Sequence, residues 1–318
     1  MSRASSSGKL TPGRILYLLY HRPVATVRQS AREGGPLNQW IDARGRHAMR
    51  RAAATLPPRP RPPVGAPEVS FLTGKKFWFQ TAFCAWSLAQ SSGREFSPVF
   101  LDDGTFDEAL FQESIRIFPG ATILDRTEIE RRLDTHLPAS RFPTLRAQRR
   151  TYIHLRKLTD AHVGHRGWRL VLDSDMLFFR RPDALLSWID TPTRPIHMVD
   201  VQDAYGYPTA TLAELADRPI PSFVNVGICG LRSEAIDWEK IEWWCAQLLA
   251  RHGTSYYLEQ ALVALLLAKA APLRLPPSDY LLLPSVAECR APTAALHHYV
   301  DLSKRGYLRH AWRHIIRS

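Results

Sequence analysis

The chain has 318 residues, 45% of them hydrophobic, enough to bury one large α/β core or two smaller ones and ordinary for a globular protein. Its net charge of +12 is placed at the ends: residues 1–65 carry 12 Lys/Arg against Glu33 and Asp42, residues 302–318 carry five basic residues and no acid, and residues 66–301 are left at −3. A body that is mildly acidic argues against a nucleic-acid binder, so no nucleic acid is expected as partner, and leaves two basic ends on an enzyme-like middle.

Ser5–Gly8 reads as a loose lead-in, and Ile15–Tyr20 is too short for a signal-peptide core before His21 and Arg22 intervene. Arg44–Ala54 is an Arg/Ala stretch with helical character. Pro57, Pro58, Pro60, Pro62, Pro63 and Pro67 then form a stiff extended linker. Residues 1–66 are therefore expected to be a basic N-terminal extension, residues 67–303 the main domain, and residues 304–318 a basic amphipathic C-terminal segment. Beyond the linker, strands at Val69–Thr73, Pro98–Leu101 and Thr122–Leu124 alternate with helices at Lys75–Gln90, Phe106–Phe118 and Thr127–Thr135. One long helix over Gln148–Val163 is expected before a strand at 170–172. This alternation predicts an α/β fold with a mostly parallel mixed sheet flanked by helices. Strands at Ile196–Asp200 and Phe223–Leu231, helices at Ala235–Arg251 and Ser255–Ala270, and a short strand at Leu281–Leu283 follow. The longest uncharged apolar run, Ala261–Ala268, falls well short of the roughly 18 residues of a membrane span. Cys84, Cys229, Cys245 and Cys289 match no zinc or redox spacing, so a reducing, cytoplasmic location is expected.

The chemistry concentrates at Arg169–Leu177, an apolar run that ends in Asp173-Ser174-Asp175. Ligands gather at the carboxyl ends of strands in open α/β sheets, and side chains at i and i+2 of an extended segment share a face. Two carboxylates so placed suit one hard divalent cation, of the kind commonly shared with substrate phosphates. A solvated Asp-Ser-Asp turn closing a strand is the plainer reading of the same residues.

Three later features join it in order: Phe223-Val-Asn225-Val-Gly227, Glu259-Gln260 at the start of an apolar helix, and His298-Tyr299 with Lys304 beyond. Together they resemble the retaining family-8 nucleotide-sugar glycosyltransferases, whose fold is called GT-A, over about residues 68–306. That family carries Asp-x-Asp, Phe-Asn-x-Gly, Asp-Gln and His-x-x-Gly-x-x-Lys. The resemblance implies a GT-A domain at 67–303 and a hexosyltransferase-like enzyme taking a sugar from a UDP-sugar to a glycan, lipid-linked or protein acceptor. It implies Mn²⁺ (or Mg²⁺) held by Asp173, Asp175 and His298, and Lys304 on the diphosphate. Asn225, Glu259 and Gln260 would face the donor sugar and acceptor; Arg156 or its neighbour Lys157, with Ser174, would lie near the donor, and Asp102 or Asp103 would face the base or ribose. Two positions depart from the pattern: Glu259 stands for Asp, and Asp301 for the Gly between His and Lys.

An inverting reaction would need a base such as Asp200, Asp203 or Glu259. Two other readings compete. A Mg²⁺-dependent phosphotransferase or phosphatase with Asp173 as nucleophile would place that Asp on the first strand, whereas three strands precede it here. A non-catalytic basic surface-binding protein fits only the two ends. Arg305, Arg309, Arg313 and Arg317 fall on one side of a helix, and Leu308, Trp312, Ile315 and Ile316 on another. An anionic membrane surface, met peripherally at the inner membrane through the basic termini, is therefore a candidate partner; the alternative is a terminal helix whose apolar side packs on the core.

Overall fold

The computed structural model describes residues 35–317. The readings at Ser5–Gly8 and Ile15–Tyr20 lie outside the described residues. The chain divides into two compact units, Met1–Ala48 and Met49–Ser318. The boundary falls inside helix α1 (Gly35–Ala53), which starts earlier than its Arg/Ala composition indicates because Pro36 occupies the first turn, where its missing N–H costs nothing. In the first unit, α1 exposes Leu37 and Trp40, with the Arg44 guanidinium 4.7 Å from the Trp40 ring centre.

Within the second unit, residues 54–62 follow the end of α1 and lie against that unit's surface. Arg116 donates to the carbonyls of Ala54 and Leu56, the Trp86 indole donates to Pro57 O, and the Arg59 amide donates to Ile117 O. There follow β1 (Glu68–Thr73), α2 (Trp78–Ser92), β2 (Ser97–Asp102), α3 (Glu108–Ile117), β3 (Thr122–Leu124) and α4 (Arg126–His136). Helix α2 is buried on every side, which its Ala, Ser and Cys content permits, and Gly93 ends it in a left-handed conformation (φ 65°).

The expected single helix over Gln148–Val163 is broken. Helix α5 (Pro143–Thr151) stops at Tyr152, which is extended (φ −118°, ψ 95°); a 3₁₀ turn (Ile153–Leu155) leads into α6 (Arg156–His162). The cause is a buried ion pair. Arg149 Nε and Nη2 donate to Asp160 Oδ1 at 2.5 Å and Oδ2 at 2.8 Å, across 11 positions of sequence. In an uninterrupted helix those residues would sit about 16 Å apart. The break also turns Tyr152 and His154 toward the sheet's carboxyl edge.

The chain then supplies β4 (Trp168–Leu172), β5 (Met176–Phe178), α7 (Asp183–Asp190), β6 (Ile196–Val199), α8 (Thr209–Ala216), β7 (Val224–Arg232), α9 (Trp238–His252), α10 (Leu258–Leu267), β8 (Leu273–Arg274), β9 (Tyr280–Leu282), α11 (Val286–Arg290) and β10 (Leu296–His298). The main sheet runs β3-β2-β1-β4-β7-β6-β8, with β7 alone antiparallel to its neighbours, so the predicted mostly parallel mixed sheet with flanking helices is what forms. The carboxyl ends of β1, β2, β4 and β6 and the amino end of β7 therefore meet along one edge. A second sheet, β5-β10-β9, sets His298 opposite Met176. This is how a histidine far along the chain arrives beside Asp175.

Strand β10 is anchored from α11. Glu288 accepts hydrogen bonds from the amides of Thr293 (2.6 Å) and Ala294 (3.0 Å), and lies 2.9 Å from His297 Nε2. Burial alone would raise its carboxyl, but these bonds win and lower it to about 2 from an ordinary 4.5. A depressed carboxylate pKa contributes stability that is complete above about 4.5 and is lost as pH falls toward about 2. Glu288→Gln is therefore expected to cost about 1–3 kcal/mol at pH 7 and much less at pH 3. Urea denaturation at the two pH values checks this, and an equal cost at both would contradict it.

Beyond an extended Tyr299–Val300 the chain runs from a 3₁₀ turn at Asp301–Ser303 helically through Ile315, with a π-helical turn at Tyr307–Ala311. Tyr307, Leu308, Ala311, Trp312 and Ile315 are buried, Tyr307 stacking on Tyr299 at 4.5 Å and Trp312 meeting Phe83 edge-on at 5.7 Å. Leu308, Trp312 and Ile315 of the apolar side expected for the C-terminal segment thus pack on the core, while Ile316 is 49% exposed and Arg305, Arg309 and Arg313 are half-buried. Among the described residues no helix is long and apolar enough to cross a membrane. All four cysteines are buried and unpaired.

Candidate active site

The carboxyl edge of the main sheet opens into a cavity of about 590 Å³, within the size range of small-molecule sites. Asp173, Ser174 and Asp175 enter it directly from the end of β4. Backbone bonds fix their register: the Asp173 amide donates to Gly227 O (2.7 Å), and the Tyr299 amide donates to Asp175 O (2.9 Å). The two carboxylates turn to the same side, where His298 Nε2 lies 3.6 Å from Asp173 Oδ2 and 3.4 Å from Asp175 Oδ1. One ligand atom from each of the three residues lies within 4.8 Å of the others.

His298 is 2% exposed, yet neither ring nitrogen has a hydrogen-bond partner. A buried imidazole without a hydrogen bond, beside two carboxylates, is a donor set that fits a divalent cation. Oxygen and imidazole donors in this number suit Mn²⁺, and with added water Mg²⁺. Gly227 makes the arrangement sterically accessible, because a Cβ there would sit 2.4 Å from His298 Cε1 and 2.9 Å from Asn225 Oδ1. Gly227→Ala is expected to displace the imidazole, lowering Mn²⁺ affinity about 10- to 100-fold and stability by about 1–3 kcal/mol. Manganese titration followed by electron paramagnetic resonance measures the first and thermal unfolding the second; unchanged affinity would contradict this role for Gly227.

Two lysines flank the acids. Lys304 Nζ is 3.0 Å from Asp175 Oδ2. Burial alone would push the Asp175 carboxyl up, but His298 and Lys304 outweigh it and hold it well below its usual range. On the other flank, Lys157 is 5% exposed and bridges two acids, 2.6 Å from Asp173 Oδ1 and 3.1 Å from Glu259 Oε2. Burial would favour the neutral amine, but Asp173 and Glu259 overcome it, and Lys157 holds its proton more firmly than a free lysine. Glu259 is pushed up to about 7, chiefly by burial and then by repulsion from Asp173, against the attraction of Lys157. Of the two neighbours read as donor contacts, it is Lys157 that reaches the acids. Arg156 points elsewhere, its Nη1 donating to Asp103 O at 2.8 Å.

Asn225 and Gln260 converge on one carboxylate. Asn225 Nδ2 donates to Asp200 Oδ2 (2.9 Å) and its Oδ1 accepts from the Gly227 amide (2.9 Å). Gln260 Nε2 reaches Ala204 O (2.8 Å) and Asp200 Oδ2 (3.4 Å). Asp103 lines the cavity next to Gly74, where a Cβ would fall 2.0 Å from Asp103 Oδ1. Asp102 does not line it. Its Oδ1 accepts the amides of Gly104, Thr105 and Phe106 at 2.7–3.0 Å, which makes it the organiser of the turn after β2. Asp203 likewise serves the backbone, accepting from the Phe223 amide at 2.6 Å. Ser174 reaches the cavity, but its hydroxyl is hydrogen-bonded to Thr81 Oγ1 (2.7 Å). Asp301 adopts φ 45°, the left-handed region, at the position where the motif described above has Gly.

Sequence reasoning passed over an aromatic wall of Tyr152, His154, Tyr256 and Tyr257. The Tyr256-Tyr257 pair just ahead of Glu259-Gln260 was its one visible signal.

No protein-family model matches the chain, and no curated protein sequence matches it. Solved structures do. It is similar to mouse xyloside xylosyltransferase 1 in its apo form (12% identity, 73% of this chain and 97% of that one, TM-score 0.49). It is similar to the galactosyltransferase LgtC in complex with donor and acceptor sugar analogues (16%, 74% and 87%, 0.48). A third is the apo form of the glycosyltransferase GlyE of Streptococcus pneumoniae TIGR4 (13%, 79% and 62%, 0.48).

Proposed function

We propose that the chain is a divalent-metal-dependent glycosyltransferase that moves a sugar from a nucleotide-diphosphate donor, a UDP-sugar, to a hydroxyl acceptor. The observation that carries the reading is the convergence of Asp173, Asp175 and a buried His298 whose ring nitrogens make no hydrogen bond, with Lys304 3.0 Å from Asp175, in one cavity at the sheet's carboxyl edge. The left-handed backbone at Asp301 supports the register of the His-x-x-Gly-x-x-Lys motif, since that conformation is the one glycine adopts without strain.

Asp173, Asp175 and His298 would hold Mn²⁺ or Mg²⁺. Bound there, the ion would neutralise charge on the leaving diphosphate, the kind of preorganised electrostatics that contributes most to such reactions. The protein's own groups do the rest. Lys304, 45% exposed along its side chain, follows the diphosphate as a point charge. Lys157 fixes the Asp173 carboxylate and neutralises it against Glu259. Asn225 and Gln260, whose amides are set by Asp200, present fixed dipoles to the donor sugar. Of the cavity acids other than Asp173 and Asp175, which also include Asp103 and Asp301, Asp200 and Glu259 lie beside Asn225 and Gln260 or Lys157 and are the ones placed to accept a proton from an acceptor hydroxyl.

Nucleotide release from UDP-glucose, UDP-galactose, UDP-xylose, UDP-N-acetylglucosamine and GDP-mannose, with Mn²⁺ and then with excess EDTA, tests the reading. Slow cleavage of one donor that stops with EDTA is expected. Cleavage of none, together with no nucleotide binding, would overturn it.

A further inference from the structure

We propose that Tyr256 and His154 form the acceptor subsite of this cavity and that it takes a pyranose ring, so that the acceptor is a carbohydrate; this rests on the glycosyltransferase reading above. Tyr256 lines the cavity and is nevertheless 67% exposed, presenting side-chain surface to solvent in the same cavity as the charged groups. It is an ordered wall. Tyr152 OH donates to the Tyr256 carbonyl, and the Tyr256 ring meets His154 at 5.3 Å and 71° and Tyr257 at 5.3 Å and 90°. Edge-to-face contacts of this kind fix ring planes. Burial lowers the His154 pKa, which keeps its imidazole neutral and suited to contact with an uncharged ligand.

The wall stands within electrostatic reach of Asp173, Asp175 and Lys304 and on one side of them. Its loop is locked to the loop after β6, where Tyr207 OH donates to Gly253 O (3.2 Å) and Gly206 presses so close to Ser255 that a Cβ would lie 1.9 Å from its Oγ. That is the β7–β6 side of Asp173 in the strand order, whereas Phe77 and Asp103 follow β1 and β2 on the other side and are left for the nucleoside. On the wall's own side lie Asp200 and Gln202, a carboxylate and an amide. An aromatic face for the apolar C–H surface of a sugar, in the same half of the cavity as groups that bond hydroxyls, is the amphipathic complement of a pyranose ring. An alkyl chain would have no use for Asp200 and Gln202, and an anionic peptide would be repelled by Asp200.

Saturation-transfer NMR with lactose, cellobiose, maltose and N-acetyllactosamine, in the presence of UDP and Mg²⁺, tests the assignment on wild type, Tyr256→Phe and Tyr256→Ala. The alanine variant keeps the backbone carbonyl that Tyr152 holds. The expected result is binding of at least one disaccharide, retained in Tyr256→Phe and weakened about tenfold or more in Tyr256→Ala, with calorimetric UDP affinity the same in all three. Three results would overturn the proposal: no disaccharide binding to a protein that binds UDP, unchanged binding in Tyr256→Ala, or weakening of UDP in place of the sugar. Failure of wild type to bind UDP would instead count against the donor site itself.

Discussion

Replacing Asp175 with alanine is expected to lower Mn²⁺-dependent nucleotide-sugar cleavage by about 100-fold or more while leaving the fold intact. Loss of even outer contacts to a metal site costs about 10- to 100-fold, and Asp175 is placed to contact the ion directly. Its carboxylate also receives Lys304 at 3.0 Å and faces His298 at 3.4 Å, so its removal frees the lysine and leaves Asp173 as the acid nearest the imidazole. The strand-ending turn survives, because the bond from the Tyr299 amide goes to the Asp175 backbone oxygen. Initial rates over a Mn²⁺ series, with circular dichroism as the control for folding, are the measurement. Cleavage within about threefold of wild type would remove Asp175 from the chemistry.

The second large effect is on stability. Lys157→Met is expected to cost about 3–5 kcal/mol, because it leaves Asp173 and Glu259 facing one another in a buried space with their common partner removed. In a domain of this size each kcal/mol corresponds to about 2–4 °C in Tm. Adding Glu259→Gln is expected to recover part of the loss, since it removes one of the two stranded charges. The pH dependence has a definite sign. Glu259 in the folded protein sits at about 7 against an ordinary 4.5, so the fold binds its proton more tightly than the unfolded chain. With Lys157 present that contribution is complete below about 4.5 and is lost as pH rises through about 7; removing Lys157 takes away an attraction that lowers the Glu259 carboxyl, so the variant's extra loss is greatest at high pH. Urea denaturation of the single and double variants between pH 5 and 8 checks both points. A loss below about 1 kcal/mol, or no recovery in the double variant, would show that Lys157 does not neutralise the pair.

What could be read from the sequence, and what could not, follows from the range of the forces involved. Strand β4 and its two acids were legible because an apolar run ending in acids is a local pattern. So was the alternation that yields a mostly parallel sheet. Strand β10 was not: three residues carry no periodicity, and Leu296–His298 is a strand only because β5 and β9 pair with it. The His298 position followed from motif spacing alone. The break at Tyr152 is set by the Arg149–Asp160 pair, a tertiary contact that overrides a helical pattern. Spacing alone also does not say which of Arg156 and Lys157 meets the acids, since adjacent helical residues point about 100° apart; Lys157 does, while Arg156 bonds the Asp103 carbonyl. Asp102 shows the opposite limit. A carboxylate at a strand end looks the same in sequence whether it meets a ligand or, as here, three backbone amides.

The central claim is that Asp173, Asp175 and His298 form a metal-dependent site for a nucleotide diphosphate. Calorimetric titration of UDP and of GDP into the protein, with Mn²⁺ and with EDTA, tests it most directly. The account predicts that UDP binds in the presence of Mn²⁺ and that binding is lost with EDTA and in Asp175→Ala. Absence of binding by either nucleotide under every metal condition would contradict it and return Asp173-Ser174-Asp175 to a strand-ending turn.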